Sequence, residues 1–254
     1  MIIGAIDLGT NTFDLLLAQV TDGNLKILYR EKQWVGLGTG LYPSMELQQD
    51  ALHRATQCLI HFNGIAKEYQ ANVLRACGTS ALRDAINGRL WCAEIHEKTG
   101  ISIEVISGIQ EAKRVFSGIK NLSNIPSDGI IMDIGGGSTE LIVFRELQLD
   151  HVFSLDIGVT RLLNALDFNN PLTEEEILRF EMLLSEESKQ LLPTTDTLIG
   201  AAGAFETFFW LIYKESIPDG ICVSFDRLKL VQLLDELIGT SYQQRLALDG
   251  VPDV

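Results

Sequence analysis

The chain has 254 residues, of which 46% are hydrophobic and 21% charged, a balance that excludes an intrinsically disordered protein. Its 34 acidic and 20 basic residues give a net charge of −14, which argues against general binding to nucleic acids or anionic membranes. No apolar run approaches the ~20 residues needed to cross a bilayer, and no basic segment precedes the first apolar stretch as in a signal peptide. Four cysteines without a CxxC pair predict reduced thiols in a cytoplasmic protein: Cys58, Cys77, Cys92 and Cys222.

The first half of the chain predicts a mixed α/β arrangement. Apolar runs bounded by turn residues predict strands, and apolar residues at helical spacing predict helices. In chain order these are strands at 2–8, 13–21 and 24–35, a long helix at 44–70, a strand at 72–78, a helix at 80–99, a strand at 102–106 and a helix from 108. Three antiparallel strands are therefore followed by alternating helices and strands.

The second half repeats this order after a segment rich in turn residues, NLSNIPSDG at 121–129, which predicts a domain boundary. Strands are predicted at 129–134, 139–145, 148–156 and 197–200, and helices near 158–166, 174–191, 203–215 and 227–247. Thr173 and Glu176 fit a capping box at the start of the second of these helices. We therefore predict an internal duplication: two α/β domains with mixed sheets, at 1–123 and 124–254.

A similar phrase occurs in both halves. Residues 7–17 read DLGTNTFDLLL and residues 133–143 read DIGGGSTELIV, each after an apolar run. A carboxylate at the end of a strand, a turn of small polar residues and an immediate return strand predict a β-hairpin. A turn that exposes backbone N–H groups and hydroxyls suits phosphate oxygens, so two such hairpins predict related domains that close on one phosphorylated ligand.

The glycine triplet Gly135, Gly136 and Gly137, followed by Ser138 and Thr139, is the sharpest local signal of this kind. Glycine lets an anion approach the backbone closely. The segment lacks the lysine of a Walker A loop and is not a GxGxxG motif, and the alternative is an ordinary glycine-rich hairpin turn. The second copy of the phrase, in the first half of the chain, favours phosphate binding.

Carboxylates flank the glycine turn. Asp133 and Glu140 lie at its two ends and suit Mg²⁺ or another divalent cation, which takes one or two carboxylates together with waters and phosphate oxygens. The alternative is that Asp133 caps the turn by accepting hydrogen bonds from its amides. Because the net charge is −14, a polyanionic ligand must be attracted by local features such as a cation, arginines and backbone amides.

Two further strand-to-helix segments carry residues suited to phosphate chemistry. Arg83 in CGTSALRD begins a helix and is able to bind a phosphate bidentately, although a surface salt bridge with Asp84 or a nearby glutamate is the alternative. Ser107 and Gln110 fit a capping box, which places Glu111 in the first helical turn. The helix dipole there favours the ionised carboxylate, so Glu111 is a candidate general base for water; a surface glutamate without a role is the alternative.

Six phrases of the chain match a known family in order and spacing, over essentially the whole chain. They are AIDLGTNTFDLLLAQV, GTSALRDAING, IEVISGIQEAKRVFSGI, IIMDIGGGSTELIVF, SLDIGVTRL and LIGAAGAFET. They resemble the exopolyphosphatase and pppGpp phosphohydrolase family, which implies an actin/hexokinase/Hsp70-like architecture of two ribonuclease-H-like domains with an active-site cleft between them. The resemblance also implies Mg²⁺-dependent removal of a terminal phosphate by water. The partner implied is inorganic polyphosphate or a guanosine polyphosphate, with no nucleic acid and no membrane, and a homodimer is compatible with this assignment.

The resemblance implies roles for individual residues. Glu111 matches the catalytic glutamate, Glu140 the second glutamate that positions the water or metal, and Asp133 the metal-linked aspartate. Arg83 matches the phosphate-binding arginine, and Arg161 a position near the far end of the ligand. The phosphate loop is matched by Gly135, Gly136, Gly137, Ser138 and Thr139, the opposing loop by Gly9, Thr10, Asn11 and Thr12, and Asp7 is grouped with the metal-binding carboxylates.

Three departures from the family pattern are visible. Gln110 stands where the family usually has the first glutamate of a pair, but Glu111 is kept. Asp14 stands where a basic residue is more usual, which lowers the positive potential beside the phosphates. The sequence ends at 250–254, where the resemblance implies a further strand and helix and, in long members, a C-terminal helical extension that grips long polyphosphate. We therefore expect either a short two-domain member or a sequence that lacks its tail.

The activity that the resemblance implies is that of an exopolyphosphatase. Its alternative substrate is the 5′-γ-phosphate of pppGpp, because both substrates present the same terminal phosphoanhydride. An ATP-dependent kinase of the same fold and a non-catalytic sensor of guanosine polyphosphates are further alternatives. The hydrolase-like phrases TSALRDA and SGIQEA argue against the kinase, and the retained Glu111, Glu140 and Asp133 argue against the sensor.

Overall fold

The computed structural model describes residues 1–42, 44–165, 169–188, 195–218 and 220–248. They divide into two compact units. The first contains Met1–Glu111, Gly135–Ser138 and Asp156–Ala165, and the second contains the remaining described residues. Within the described ranges, none of the helices combines the length and hydropathy needed to span a membrane. The domain limits at 123 and 124 stay a prediction.

The first unit is built on a five-stranded mixed sheet. Its strands are β1 (Ile2–Leu8), β2 (Thr12–Thr21), β3 (Asn24–Trp34), β4 (Val73–Gly78) and β5 (Ile103–Val105), in the order β3-β2-β1-β4-β5. The pairs β1–β2 and β2–β3 are antiparallel, whereas β1–β4 and β4–β5 are parallel. The helices of this part of the chain are α1 (Gln49–Glu68), α2 (Ser80–Asp84), α3 (Gly88–Thr99) and α4 (Gly108–Ile119), of which α4 continues into the second unit.

The second unit has a four-stranded mixed sheet. Its strands are β6 (Gly129–Ile134), β7 (Thr139–Arg145), β8 (Gln148–Leu155) and β9 (Leu198–Ala201), in the order β8-β7-β6-β9. The pairs β6–β7 and β7–β8 are antiparallel, and β6–β9 is parallel. The remaining helices are α5 (Val159–Ala165), which belongs to the first unit, and α6 (Glu174–Ser188), α7 (Ala202–Tyr213), α8 (Arg227–Gly239) and α9 (Tyr242–Leu246).

The four strands of the second sheet repeat the order and directions of the first four strands of the first sheet, which has β5 as an additional parallel strand. Each has two antiparallel pairs followed by a parallel strand, and the second strand of each carries a register shift against the third. The first hairpin pairs Asp7 with Asp14 and the second pairs Asp133 with Glu140, so a carboxylate pair lies at the same place in both. The predicted duplication into two ribonuclease-H-like α/β units with mixed sheets is therefore confirmed.

Each unit has its own hydrophobic core. In the first, alternate residues of β1 such as Ile6 and Leu8 are buried together with Phe62 of α1. In the second, Ile142 and Phe144 of β7 are buried with residues of α4. Burying such a side chain contributes about 1.5–3 kcal/mol, so the alternating burial of β1 determines which face of that strand packs against the core.

Two predicted helices of the first half have different limits. The helix predicted at 80–99 is interrupted between α2 and α3, where Ala85 has an extended backbone with ψ of 130°. The helix predicted at 44–70 begins only at Gln49, because Leu47 is buried and its backbone is hydrogen-bonded to the side chain of Asn87. Both differences arise from tertiary burial, which helical periodicity does not record.

The second half shows a similar difference. The helix predicted at 227–247 is divided into α8 and α9, because Ser241 starts a new helix through a capping box with Gln244. The predicted capping box of Thr173 and Glu176 is confirmed: the Thr173 backbone N–H donates to the Glu176 carboxylate at 2.7 Å. Residues 189–191, predicted as the end of α6, and residues 250–254 lie outside the described residues.

Candidate functional site

The turn Gly135–Ser138 of the second hairpin is the centre of the candidate site. The N–H of Gly135 donates to the carbonyl oxygen of Ser138 at 2.9 Å. In the first hairpin the N–H of Gly9 donates in the same way to the carbonyl oxygen of Thr12, at 3.0 Å. The two repeated phrases thus fold into equivalent turns.

The carbonyl groups of the glycine turn accept hydrogen bonds within the protein, whereas three of its backbone N–H groups are available to a ligand. The carbonyl oxygens of Gly135 and Gly136 accept hydrogen bonds of 2.7–3.1 Å from the first three backbone N–H groups of α5. The N–H groups of Gly136, Gly137 and Ser138 have no hydrogen-bond acceptor among the described residues. Successive N–H groups of this kind form a concave site for an anion.

Close packing explains why this turn contains glycines. A Cβ atom on Gly136 would lie 2.9 Å from the Cβ of Thr10 and 3.1 Å from the Nδ2 of Asn11. A Cβ atom on Gly137 would lie 2.8 Å from the Cβ of Ser80. The structure therefore brings the turn of the first phrase against the turn of the second, at a distance that only glycine permits.

The turn of the first hairpin is also held in place by hydrogen bonds to its carbonyl oxygens. The carbonyl oxygens of Thr10 and Asn11 accept hydrogen bonds of 2.8–2.9 Å from backbone N–H groups of residues 35–38, which follow β3. The Asn11 side chain accepts a further hydrogen bond from the hydroxyl of Thr160 at 2.7 Å. Sequence reasoning missed Thr160, which the spacing of the motifs does not connect with the first turn.

Arg83 and Glu111 form an ion pair beside the glycine turn. Nη1 of Arg83 lies 3.1 Å from Oε2 of Glu111, and both side chains are about one-fifth exposed. Nη2 of Arg83 donates to the hydroxyl of Ser138 at 3.5 Å. The predicted capping box of Ser107 and Gln110 is present, so Glu111 lies in the first turn of α4. An arginine, a carboxylate and a set of available amides thus lie together.

Arg161 extends this cluster through Asp84. Nε of Arg161 donates to the carbonyl oxygen of Gly137 at 2.7 Å, and Nη2 donates to Oδ2 of Asp84 at 2.6 Å. The guanidinium also lies over the ring of Tyr42, with its carbon 4.4 Å from the ring centroid. Sequence reasoning considered Asp84 only as a surface partner of Arg83, and it missed Tyr42; burial raises the pKa of this tyrosine, which keeps it a hydroxyl donor.

The second unit holds the carboxylates predicted for a metal ion. Asp133 and Glu140 face each other across β6 and β7. Glu140 is only 1% exposed and accepts a hydrogen bond from the hydroxyl of Ser154 at 2.8 Å, and Thr139 beside it is also buried. Burial raises the pKa of Asp133. A carboxylate that has lost much of its hydration gains from a bound cation.

These residues fit a Mg²⁺ ion that is bound by one or two carboxylates and retains several coordinated water molecules. No group of three or more His, Cys, Asp or Glu residues suited to a metal occurs in the described ranges, so an all-protein cage is absent from them. Asp133 and Glu140 supply the one or two carboxylates that Mg²⁺ takes alongside waters and phosphate oxygens. Asp7 forms the equivalent cross-strand pair with Asp14, whose Oδ2 lies 4.0 Å from Nζ of Lys32.

The first unit therefore gathers most of the predicted phosphate-binding residues. Arg83, Glu111, Arg161 and the two turns lie within it, whereas Thr139, Asp133 and Glu140 belong to the second unit. The roles of all these residues stay predictions.

The chain is similar to proteins of one family over nearly its whole length. Residues 16–253 match the Ppx/GppA phosphatase family. The chain is similar to the solved structure of an exopolyphosphatase from Cytophaga hutchinsonii, with a TM-score of 0.90 and 29% sequence identity, covering 99% of this chain and 84% of that one. It is similar to the Ppx/GppA enzyme of Aquifex aeolicus, with a TM-score of 0.81 and 26% identity over 97% of this chain and 83% of that one. An exopolyphosphatase-like protein matches with a TM-score of 0.85 and 26% identity, over 97% and 80% of the two chains.

Proposed function

The chain belongs to the Ppx/GppA phosphatase family, and from this we propose that it is an exopolyphosphatase, which hydrolyses the terminal phosphoanhydride of inorganic polyphosphate. The observation that carries the proposal is the glycine turn: three N–H groups without an acceptor among the described residues lie beside the Arg83–Glu111 ion pair. A site that binds phosphate oxygens and holds a carboxylate next to them has the apparatus for phosphoryl transfer to water. The four free cysteines support a cytoplasmic location as part of the same proposal.

In the proposed reaction the terminal phosphate binds to the amides of the glycine turn and to Arg83. Glu111 orients a water molecule and takes its proton while the water oxygen bonds to the terminal phosphorus. The bond from this phosphorus to the bridging oxygen breaks, and the bridging oxygen leaves with the electron pair. The products are inorganic phosphate and a polyphosphate shorter by one unit.

The ion pair of Arg83 and Glu111 takes part in the proposed reaction, because substrate binding changes it. Without substrate, the guanidinium holds the carboxylate at 3.1 Å. A phosphate competes for the same guanidinium, so its binding weakens the ion pair at Oε2 of Glu111, the oxygen that then accepts the proton of the water. Asp133 and Glu140 would hold Mg²⁺, which when bound would neutralise charge on the phosphate oxygens.

Replacing Glu111 tests the proposal directly. We expect Glu111→Gln to lower kcat for phosphate release from polyphosphate by roughly 10²–10⁴, because the amide accepts no proton from water. Colorimetric phosphate release with and without added Mg²⁺ is the measurement. Glu94→Gln is the matched control, since Glu94 is a half-exposed surface carboxylate whose ion pair among the described residues is with Lys98. Near-full turnover of Glu111→Gln would show that another group activates the water.

The same assay separates the alternatives. Release of phosphate from pppGpp but not from polyphosphate would make pppGpp the substrate. Release without any acceptor other than water excludes a kinase. Tight binding of a guanosine polyphosphate with no Mg²⁺-dependent phosphate release would identify a sensor instead of an enzyme.

A further inference from the structure

A cavity of about 570 Å³ lies next to Arg83 in the first unit. It is bounded by the end of α2, the beginning of α3, the end of β5 and the start of α4, and its polar lining includes Arg83, Arg89, Ser107 and Gln110. Its volume is within the range of small-molecule sites, about 300–1,000 Å³. Neither the glycine turn nor Glu111 lines it. Arg83 is therefore the residue that joins this cavity to the site described above.

Arg89 lines this cavity with a positive charge that no ion pair among the described residues neutralises. Asp84 is the acidic residue in the lining, and it already pairs with Arg161 at 2.6 Å and lies 3.8 Å from Nε of Arg83. Arg83 in turn pairs with Glu111. In the described part of the chain no carboxylate lies within ion-pair distance of Arg89. The charge that remains for a ligand in the cavity is that of Arg89.

The backbone before Arg89 is held by hydrogen bonds, so the point from which this exposed side chain extends is fixed. The N–H of Ile86 donates to the carbonyl oxygen of Met45 at 2.9 Å. The Asn87 side chain accepts from the N–H of Leu47 and donates to its carbonyl oxygen, both at 3.0 Å. Arg89 follows two residues later as the second residue of α3. A cation on such a fixed backbone loses less entropy on binding than one on a mobile loop.

We propose that this cavity is a second phosphate subsite, in which Arg89 binds a phosphate group of the same substrate whose terminal phosphate is held at Arg83. This inference rests on the proposed function. The protein has a net charge of −14, so an extended polyanion needs local cations along its length. The ligand chemistry is a further phosphate group of the same molecule that carries the reacting one. Its source is either an inner phosphate of polyphosphate or the 3′-diphosphate of pppGpp.

The test compares Arg89→Gln with Lys98→Gln at constant ionic strength. Lys98→Gln removes the same charge from the same helix, at a residue that does not line the cavity. Phosphate release is measured on two pairs of substrates, long polyphosphate with tripolyphosphate and pppGpp with GTP. We expect Arg89→Gln to raise KM by about threefold to tenfold for either long polyphosphate or pppGpp, the larger substrate of its pair. A change in KM of this size is expected for the loss of one partly exposed charge-assisted contact. We expect kcat to change by less than about twofold.

The pair of substrates whose larger member shows the raised KM identifies the source of the second phosphate. An equal change for all four substrates, the same change in Lys98→Gln, or no change would overturn the subsite and leave the proposed hydrolysis standing. If the wild-type protein releases phosphate from none of the four, the proposed function fails. Equilibrium binding of long polyphosphate and of pppGpp then decides the subsite: at least threefold weaker binding by Arg89→Gln supports it, and equal or absent binding overturns it.

Discussion

At the scale of single residues, Asp84 positions Arg161. Its Oδ2 accepts hydrogen bonds from Arg161 at 2.6 Å, from Ser80 at 3.0 Å and from the Tyr42 hydroxyl at 3.1 Å. The Asp84 side chain is only 15% exposed, and that of Arg161 is 17% exposed. A charge-assisted contact that water reaches so little is strong, because few solvent dipoles screen it.

We therefore expect Asp84→Asn to lower the free energy of unfolding by about 1–3 kcal/mol, since Arg161 loses its counter-charge in a site that water barely reaches. Denaturant unfolding is the measurement. Asp156→Asn is the control, because Asp156 also lies 3.4 Å from Arg161 but is 78% exposed, and we expect it to change stability by less than about 1 kcal/mol. Equal losses in the two variants would show that burial of Asp84 is unimportant.

At the scale of elements, the junction of β9 and α7 is constrained. Ala201 ends the strand, where it pairs with Asp133, and Ala202 begins the helix, so no connecting residue separates them. The chain makes this change of direction with Ala202 at φ of 64°, in the left-handed region. An L-residue with a Cβ is disfavoured there by roughly 1–2 kcal/mol, whereas glycine adopts the conformation readily.

For this reason we expect Ala202→Gly to raise the free energy of unfolding by about 0.5–1 kcal/mol. The control is Ala204→Gly in the first turn of the same helix, which we expect to lower the free energy of unfolding by about 0.5–1 kcal/mol, because glycine is less favourable than alanine in a helix. Thermal or denaturant unfolding of both variants provides the comparison. Destabilisation by Ala202→Gly would contradict the assigned strain.

At the scale of the whole molecule, the net charge of −14 opposes the approach of a polyanionic substrate. The Debye length falls from about 30 Å at 0.01 M to about 10 Å at 0.1 M ionic strength, so salt screens this repulsion before it screens contacts inside the site. We expect kcat/KM for polyphosphate to rise over this range at constant free Mg²⁺. Two salts with different anions, compared at equal ionic strength, control for competition between the anion and the substrate. A kcat/KM that falls steadily from the lowest ionic strength would show instead that attraction by local positive groups dominates.

The sequence by itself determined the parts of this protein that follow local rules. Apolar runs bounded by turn residues predicted the strands, and the repeated phrases predicted two equivalent hairpins. The caps of α4 and α6 were predicted because a capping box lies within four consecutive residues. The family was identified from motifs for the same reason: their residues are contiguous.

Only the tertiary structure decided which distant residues meet. Arg83 pairs with Glu111, and Arg161 with Asp84, across long stretches of chain, and no spacing in the sequence connects them. The break between α2 and α3, which places Arg89 at the cavity, likewise follows from contacts with residues 45–47. Periodicity describes the neighbours of a residue along its own element. The partners of a charged side chain depend instead on how sheets and helices pack, because packing alone sets the distance and the water between them.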